Sequence, residues 1–106
     1  MADKGFVYLP DIVGMVNIVP NGILSRTVSR TDKVTAVVFS FGAGQELSEH
    51  TSAKAAIIQV LQGKAEIGLG GETFEVGPGS LIEMTPNLTH RVLALTDMIM
   101  LLLLLQ

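Results

Sequence analysis

From residue 23 onward, apolar positions come in short runs of about four to eight residues, broken by Gly, Asn, Asp or Pro. These runs predict strands at Ile23–Val28, Val34–Phe41, Ala55–Leu61, Lys64–Leu69, Thr73–Val76, Ser80–Met84, His90–Leu95 and Met98–Leu105. Strands of this kind at intervals of about 8 to 12 residues are the pattern of an all-β sandwich or barrel. Helix signals are sparse. Asp11 stands where it would cap one turn through Ile12–Met15, but Gly14 and the β-branched neighbours weigh against a longer helix.

Two segments carry the firmest local readings. Lys64–Val76 reads as a hairpin closed at Gly70–Gly71, because a two-residue type I′ turn needs positive φ at both central positions. That turn pairs Leu69 with Glu72, Ile67 with Phe74 and Ala65 with Val76, placing the apolar pairs on one face. The other face sets Glu66 against Glu75, with Lys64 diagonal to Glu75 as the expected offset. The second segment, Met98–Leu105, is uninterruptedly apolar. It is far shorter than the roughly 20 residues of a membrane helix. It therefore reads as a strand buried on both faces, or on one face and in an interface.

Composition narrows the function classes. The chain has 106 residues, the size of one domain spanning 1–106, and such a chain buries roughly 65% of its unfolded surface without needing staples. Only 16% of residues are charged, against about 25% in an average domain, so part of the outer surface is expected to lie under a partner. The net charge is −3 and no basic stripe exists, which argues against nucleic-acid binding. There is no Cys, which excludes thiolate metal sites and cysteine nucleophiles. The start, MADKGFVYLP, lacks the apolar core of a secretory signal. No membrane association is expected, and the cytoplasm is the expected compartment.

The chemistry centres on two histidines, His50 and His90. A histidine of either kind, taken alone, is more often a hydrogen-bonded structural residue than a ligand. Their surroundings add to this. Gly44, His50, Ser52, Ala56 and Gly63 keep the spacing of the first cupin motif, which runs Gly, five residues, His-x-His, three or four residues, Glu, six residues, Gly. Val60–Leu61–Gln62–Gly63 matches its usual ending. Gly77–Pro–Gly79 through Pro86 to His90 is similar to the second motif. Leu24–Thr27 and Ala36–Phe39 also resemble the lead-in strands of small bacterial cupins. The motif-like region covers about residues 44–91.

The resemblance implies a single cupin-type β-barrel, a double-stranded jelly roll. It also implies a pocket inside the barrel lined by His50, Ser52, Ala56, Ile58, Met84 and His90. The family's divalent metal is held by two His of the first motif, its Glu, and the His of the second. Carried over, His50 and His90 remain as metal ligands, whereas Ser52 and Ala56 replace the other two. A catalytic metal normally has three protein ligands. No nearby carboxylate substitutes: Glu49 faces away from His50, Glu46 shares its parity but lies about 13 Å along an extended strand, and Glu83 faces out beside Met84.

The expected function is thus a small-molecule binder with a degenerate, weakly held divalent transition metal as its sole cofactor. The alternatives are a metal-dependent enzyme of dioxygenase, isomerase or decarboxylase type using His50 and His90, or an interaction domain with an empty pocket; the fold does not choose among them. A homodimer is also expected. If Ala56, Ile58 and Val60 line the barrel, then Ile57, Gln59 and Leu61 face outward, as must one parity of Met98–Leu105. A two-fold interface would cover them, with Gln59 hydrogen-bonded near the axis. The competing cover is the chain's own Phe6–Val16.

Overall fold

The structure is a computed structural model and describes residues 5–106. Among these residues a single 3-10 turn at Val13–Met15 precedes nine strands. They are β1 (Ile23–Arg30), β2 (Val34–Phe41), β3 (Glu46–His50), β4 (Ala56–Gln62), β5 (Ala65–Leu69), β6 (Glu72–Val76), β7 (Leu81–Met84), β8 (His90–Ala94) and β9 (Met98–Leu105). All pairings are antiparallel. They build a five-stranded sheet in the order β1-β2-β9-β4-β7 and a four-stranded sheet in the order β3-β8-β5-β6. The chain is an all-β double-sheet jelly roll: all-β as its strand pattern predicts, and a jelly roll as the motif resemblance implies.

Alternation decides the core. Ala56, Ile58 and Val60 of β4, Met98 and Met100 of β9, and Phe41 of β2 bury one face of the larger sheet. Ala65 and Ile67 of β5 with Val92 and Ala94 of β8 bury the facing side of the smaller one. The predicted hairpin has the predicted register, including Glu66 opposite Glu75. Gly70 and Gly71 both have positive φ, at 55° and 95°. The 3-10 turn is tied by Asp11, whose carboxylate accepts the Gly14 N–H at 3.1 Å.

Three readings change. Strand β3 was not predicted, because Glu46–Leu–Ser–Glu–His50 has one apolar residue and lies at a sheet edge, where only pairing with β8 makes it a strand. Glu66 is offset by Arg91 and not by Lys64. β5 lies between β6 and β8, so a second neighbour reaches it: Arg91 donates to Glu66 at 2.8 Å and sits 3.8 Å from Glu46. Arg91 lies across its register partner Gly68, where an added Cβ would come within 2.8 Å of the Arg91 Cγ. The hydrogen bond to Glu66 holds the Arg91 pKa above its usual value, helped by the charges of Glu66, Glu46 and Glu49 and opposed by desolvation.

The third change concerns Glu46. The β3–β8 register runs Glu46–Leu93, Leu47–Val92, then slips to His50–His90. The extra residue on β3 is a bulge, which breaks the strict alternation of faces. Glu46 therefore shares the outer face with Leu93, opposite to the face of His50.

The apolar run Met98–Leu105 is β9, the centre of the five-stranded sheet. One cross-strand row on its outer face reads Arg26, Val38, Leu101, Gln59, Leu81. The chain's own N-terminal segment covers one side of this face. The Ser40 hydroxyl donates to the Asn17 carbonyl at 2.7 Å and Arg26 donates to the Met15 carbonyl at 3.1 Å. Val38, Ser40 and Ile99 are buried there although they point away from the core. Among the described residues the other side lacks that cover, with Leu101, Leu103, Ile57 and Leu61 half-buried and Gln59 exposed. Leu81 is 61% exposed, and Phe6 and Tyr8 are 72% and 76% exposed. Among the described residues, no helix is long and apolar enough to cross a membrane.

Candidate functional site

His90 opens β8 and His50 closes β3, and the two residues are directly opposed across the ladder. His90 shares the inward parity of Val92 and Ala94 and is only 8% exposed. His50 lies at the exposed end of the same inner face. Their ring centroids are 4.1 Å apart with the ring planes inclined by 59°. The bulge produces this meeting. A regular ladder continuing from Leu47–Val92 would set Glu49 opposite His90, so the inserted residue exchanges a carboxylate for an imidazole.

Both rings are fixed in the same way. His50 Nδ1 lies 2.7 Å from the Ser48 carbonyl oxygen, and His90 Nδ1 lies 2.9 Å from the Leu88 carbonyl oxygen. A carbonyl oxygen only accepts, so each Nδ1 carries the proton and donates it. That leaves Nε2 as the ring nitrogen of each residue not held by its own backbone. Locking one ring nitrogen so that the other can bind is the arrangement seen around metal-ligating histidines. No side chain supplies these acceptors, so residue types alone did not reveal them.

The remaining residues singled out from sequence are placed as follows. Ala56 and Met84 are direct partners across β4 and β7, both buried, on the sheet facing the histidines. They also touch a cleft of about 430 Å³ bordered by Thr85 and Pro86, whose lining does not include the His rings. Ile58 is sealed in the core beneath them. Ser52 sits half-buried in the loop after β3, where its carbonyl accepts the Asn87 N–H at 2.7 Å. That bond pins the loop against the turn leading into His90. The Ser52 hydroxyl oxygen accepts the Lys54 N–H at 3.2 Å, so part of its acceptor capacity is used locally.

Among the described residues, no third His, Cys, Asp or Glu joins the histidine pair. The donors at hand are two imidazole nitrogens. They do not fit a catalytic divalent centre, which takes three protein ligands. They suit a loose two-point hold at most.

Comparison with known proteins places this geometry in a family. The family model described as "Cupin domain" matches residues 37–105. A conserved protein of unknown function from Streptococcus pyogenes is 31% identical with a TM-score of 0.83, over 99% of this chain and 90% of that one. A cupin superfamily protein from Desulfitobacterium hafniense is 24% identical with a TM-score of 0.84, over 92% of this chain and 88% of its own. KdgF from Halomonas sp. is 26% identical with a TM-score of 0.75, over 85% and 84% of the two chains. No curated protein matches the chain.

Proposed function

This chain belongs to the cupin family, and from that premise we propose that its barrel mouth binds a small organic ligand oriented by His50 and His90. The observation that carries this reading is the pair of rings 4.1 Å apart, each with its Nδ1–H tied to a backbone carbonyl. Two fixed polar atoms beside an apolar wall are what a small-molecule site uses to orient its occupant. In this reading the wall is Ala56 and Met84, buried on the facing sheet, with Ser52 at its border. A divalent transition metal held by His50 and His90 alone is a weak second occupant, and no reaction step is assigned to it.

The test is a thermal-shift screen of untagged protein against small alcohols, phenols, organic acids and divalent ions. A native-state ligand raises Tm by mass action. The reading expects an organic compound whose Tm increase is lost in the His50→Phe/His90→Phe double variant. A stoichiometric metal retained through purification, with no organic ligand found, would overturn it.

We also propose that the chain works as a homodimer. Its support is the uncovered outer face around Leu101, Leu103, Ile57 and Leu81, together with the exposed Phe6 and Tyr8 of the same chain. A second copy supplies a matching apolar surface in a self-complementary two-fold contact.

A further inference from the structure

We infer that the larger sheet carries an anion site of its own, in which Arg30, Lys54 and the Thr35 hydroxyl take the carboxylate or phosphate group of a small organic ligand. It does not depend on the histidine pair. Strand register brings the groups together. Arg30, Thr35, Leu104, Ala56 and Met84 are successive direct partners across β1, β2, β9, β4 and β7, so they share one face of the sheet. The core residues Ala56 and Met84 mark that face as the inner one. Arg30 lies on it because β1 is bulged: the register runs Thr27–Val37, then Ser29–Ala36 and Arg30–Thr35. By strict alternation Arg30 would point outward with Arg26, and the extra residue turns it inward.

That end of the row opens into a cavity of about 390 Å³ whose lining includes Arg30, Asp32, Thr35, Lys54, Leu104 and Gln106. Thr35 is 7% exposed. Its hydroxyl oxygen accepts from Gln106 Nε2 at 3.3 Å, and Gln106 Oε1 accepts from Lys54 Nζ. Every donor here keeps spare capacity. Among the described residues the Thr35 O–H proton has no acceptor, and no hydrogen bond or ion pair holds the Arg30 guanidinium. The Lys54 ammonium has two further N–H groups. The carboxylate in the lining, Asp32, forms an ion pair with neither cation. A buried hydroxyl proton beside two cations suits a group that brings lone pairs and negative charge. The planar guanidinium fork matches a carboxylate or a phosphate, and Leu104 offers the rest of the ligand an apolar surface.

The experiment is an NMR titration of the full chain at low salt with benzoate, phenyl phosphate and benzamide, the last a neutral isostere of benzoate. At least one anion should shift the backbone amide signals of Thr35 and Gln106 and bind about tenfold or more tighter than benzamide, since hydrogen bonds between charged groups are the stronger ones. Whichever anion binds tighter identifies the group the site takes. Arg30→Gln, at an exposed position that leaves the fold intact, should weaken that anion about tenfold. Lys33→Gln removes a neighbouring cation that does not line the cavity and should change its affinity by no more than about twofold. Equal losses in the two variants would mark diffuse attraction to a basic surface and overturn the site. So would benzamide binding as tightly as the anions, or no shift at Thr35 and Gln106 with either anion at millimolar concentration.

Discussion

Replacing Leu81 with Ala should leave the protomer folded and break the dimer. Leu81 is 61% exposed on β7 and continues the outer row Leu101–Gln59–Leu81. In a protomer with that exposure the truncation costs little, within about 0.5 kcal/mol for a surface site. In a dimer that covers the face the sum differs. Burying a whole Leu side chain is worth about 1.5–3 kcal/mol, and with 61% still uncovered roughly 1–2 kcal/mol of that remains for the interface to supply. Two-fold symmetry applies the loss twice, so about 2–4 kcal/mol leaves each dimer. At 1.4 kcal/mol per tenfold, dissociation rises roughly 30-fold to several hundred-fold. Sedimentation velocity and light scattering across the micromolar range read this directly. The parent chain should approach twice its 11.3 kDa mass, the variant should fall towards 11.3 kDa, and the two should share one Tm in dilute solution. A parent mass of 11.3 kDa at every concentration, or a variant that dimerises as well as its parent, refutes the reasoning.

Gly63→Ala should destabilise the protein by at least about 2 kcal/mol, since φ is +79° and a Cβ would stand 2.0 Å from the Asp97 carbonyl oxygen. Calorimetry should show Tm lower by about 10 °C or more, and an unchanged Tm would contradict the turn geometry. Ser52→His with Ala56→Glu should create a metal-dependent fold. Ala56 is 3% exposed, so an unpaired carboxylate there lowers the apo Tm, and zinc at about 100 times its Kd should return about 2.7 kcal/mol. A folded double variant whose Tm ignores zinc would show that Ser52 and Ala56 do not face the histidine pair. Arg91→Met should lower Tm by a few degrees at low salt and less at 1 M salt, because it leaves Glu66 facing Glu75 and Glu46 without their shared cation; salt-independent loss would assign Arg91 a packing role instead.

What was legible in the sequence is what each strand's own side chains decide. The run of β9 and the Gly70–Gly71 hairpin could be placed residue by residue because burial and turn chemistry are local to them. The pairing of His50 with His90 is not local, and only the motif spacing brought together residues 40 positions apart. What escaped belongs to the backbone or to a neighbouring strand. The acceptors that orient the two rings are the carbonyls of Ser48 and Leu88, which any residue in those places would provide. Arg91 reaches Glu66 because β8 adjoins β5, a fact of sheet order that the hairpin alone does not contain. The bulge in β3 matters most. By strict alternation from Leu47, Glu49 would face the barrel and His50 the solvent, and the mouth would hold one imidazole and one carboxylate. One extra residue inverts that, turning His50 inward to meet His90 and leaving Glu49 on the outer side, where its charge acts on Arg91. The chemical character of the site, two imidazoles in place of an imidazole and a carboxylate, is therefore a property of strand register, and composition or residue identity alone does not encode it.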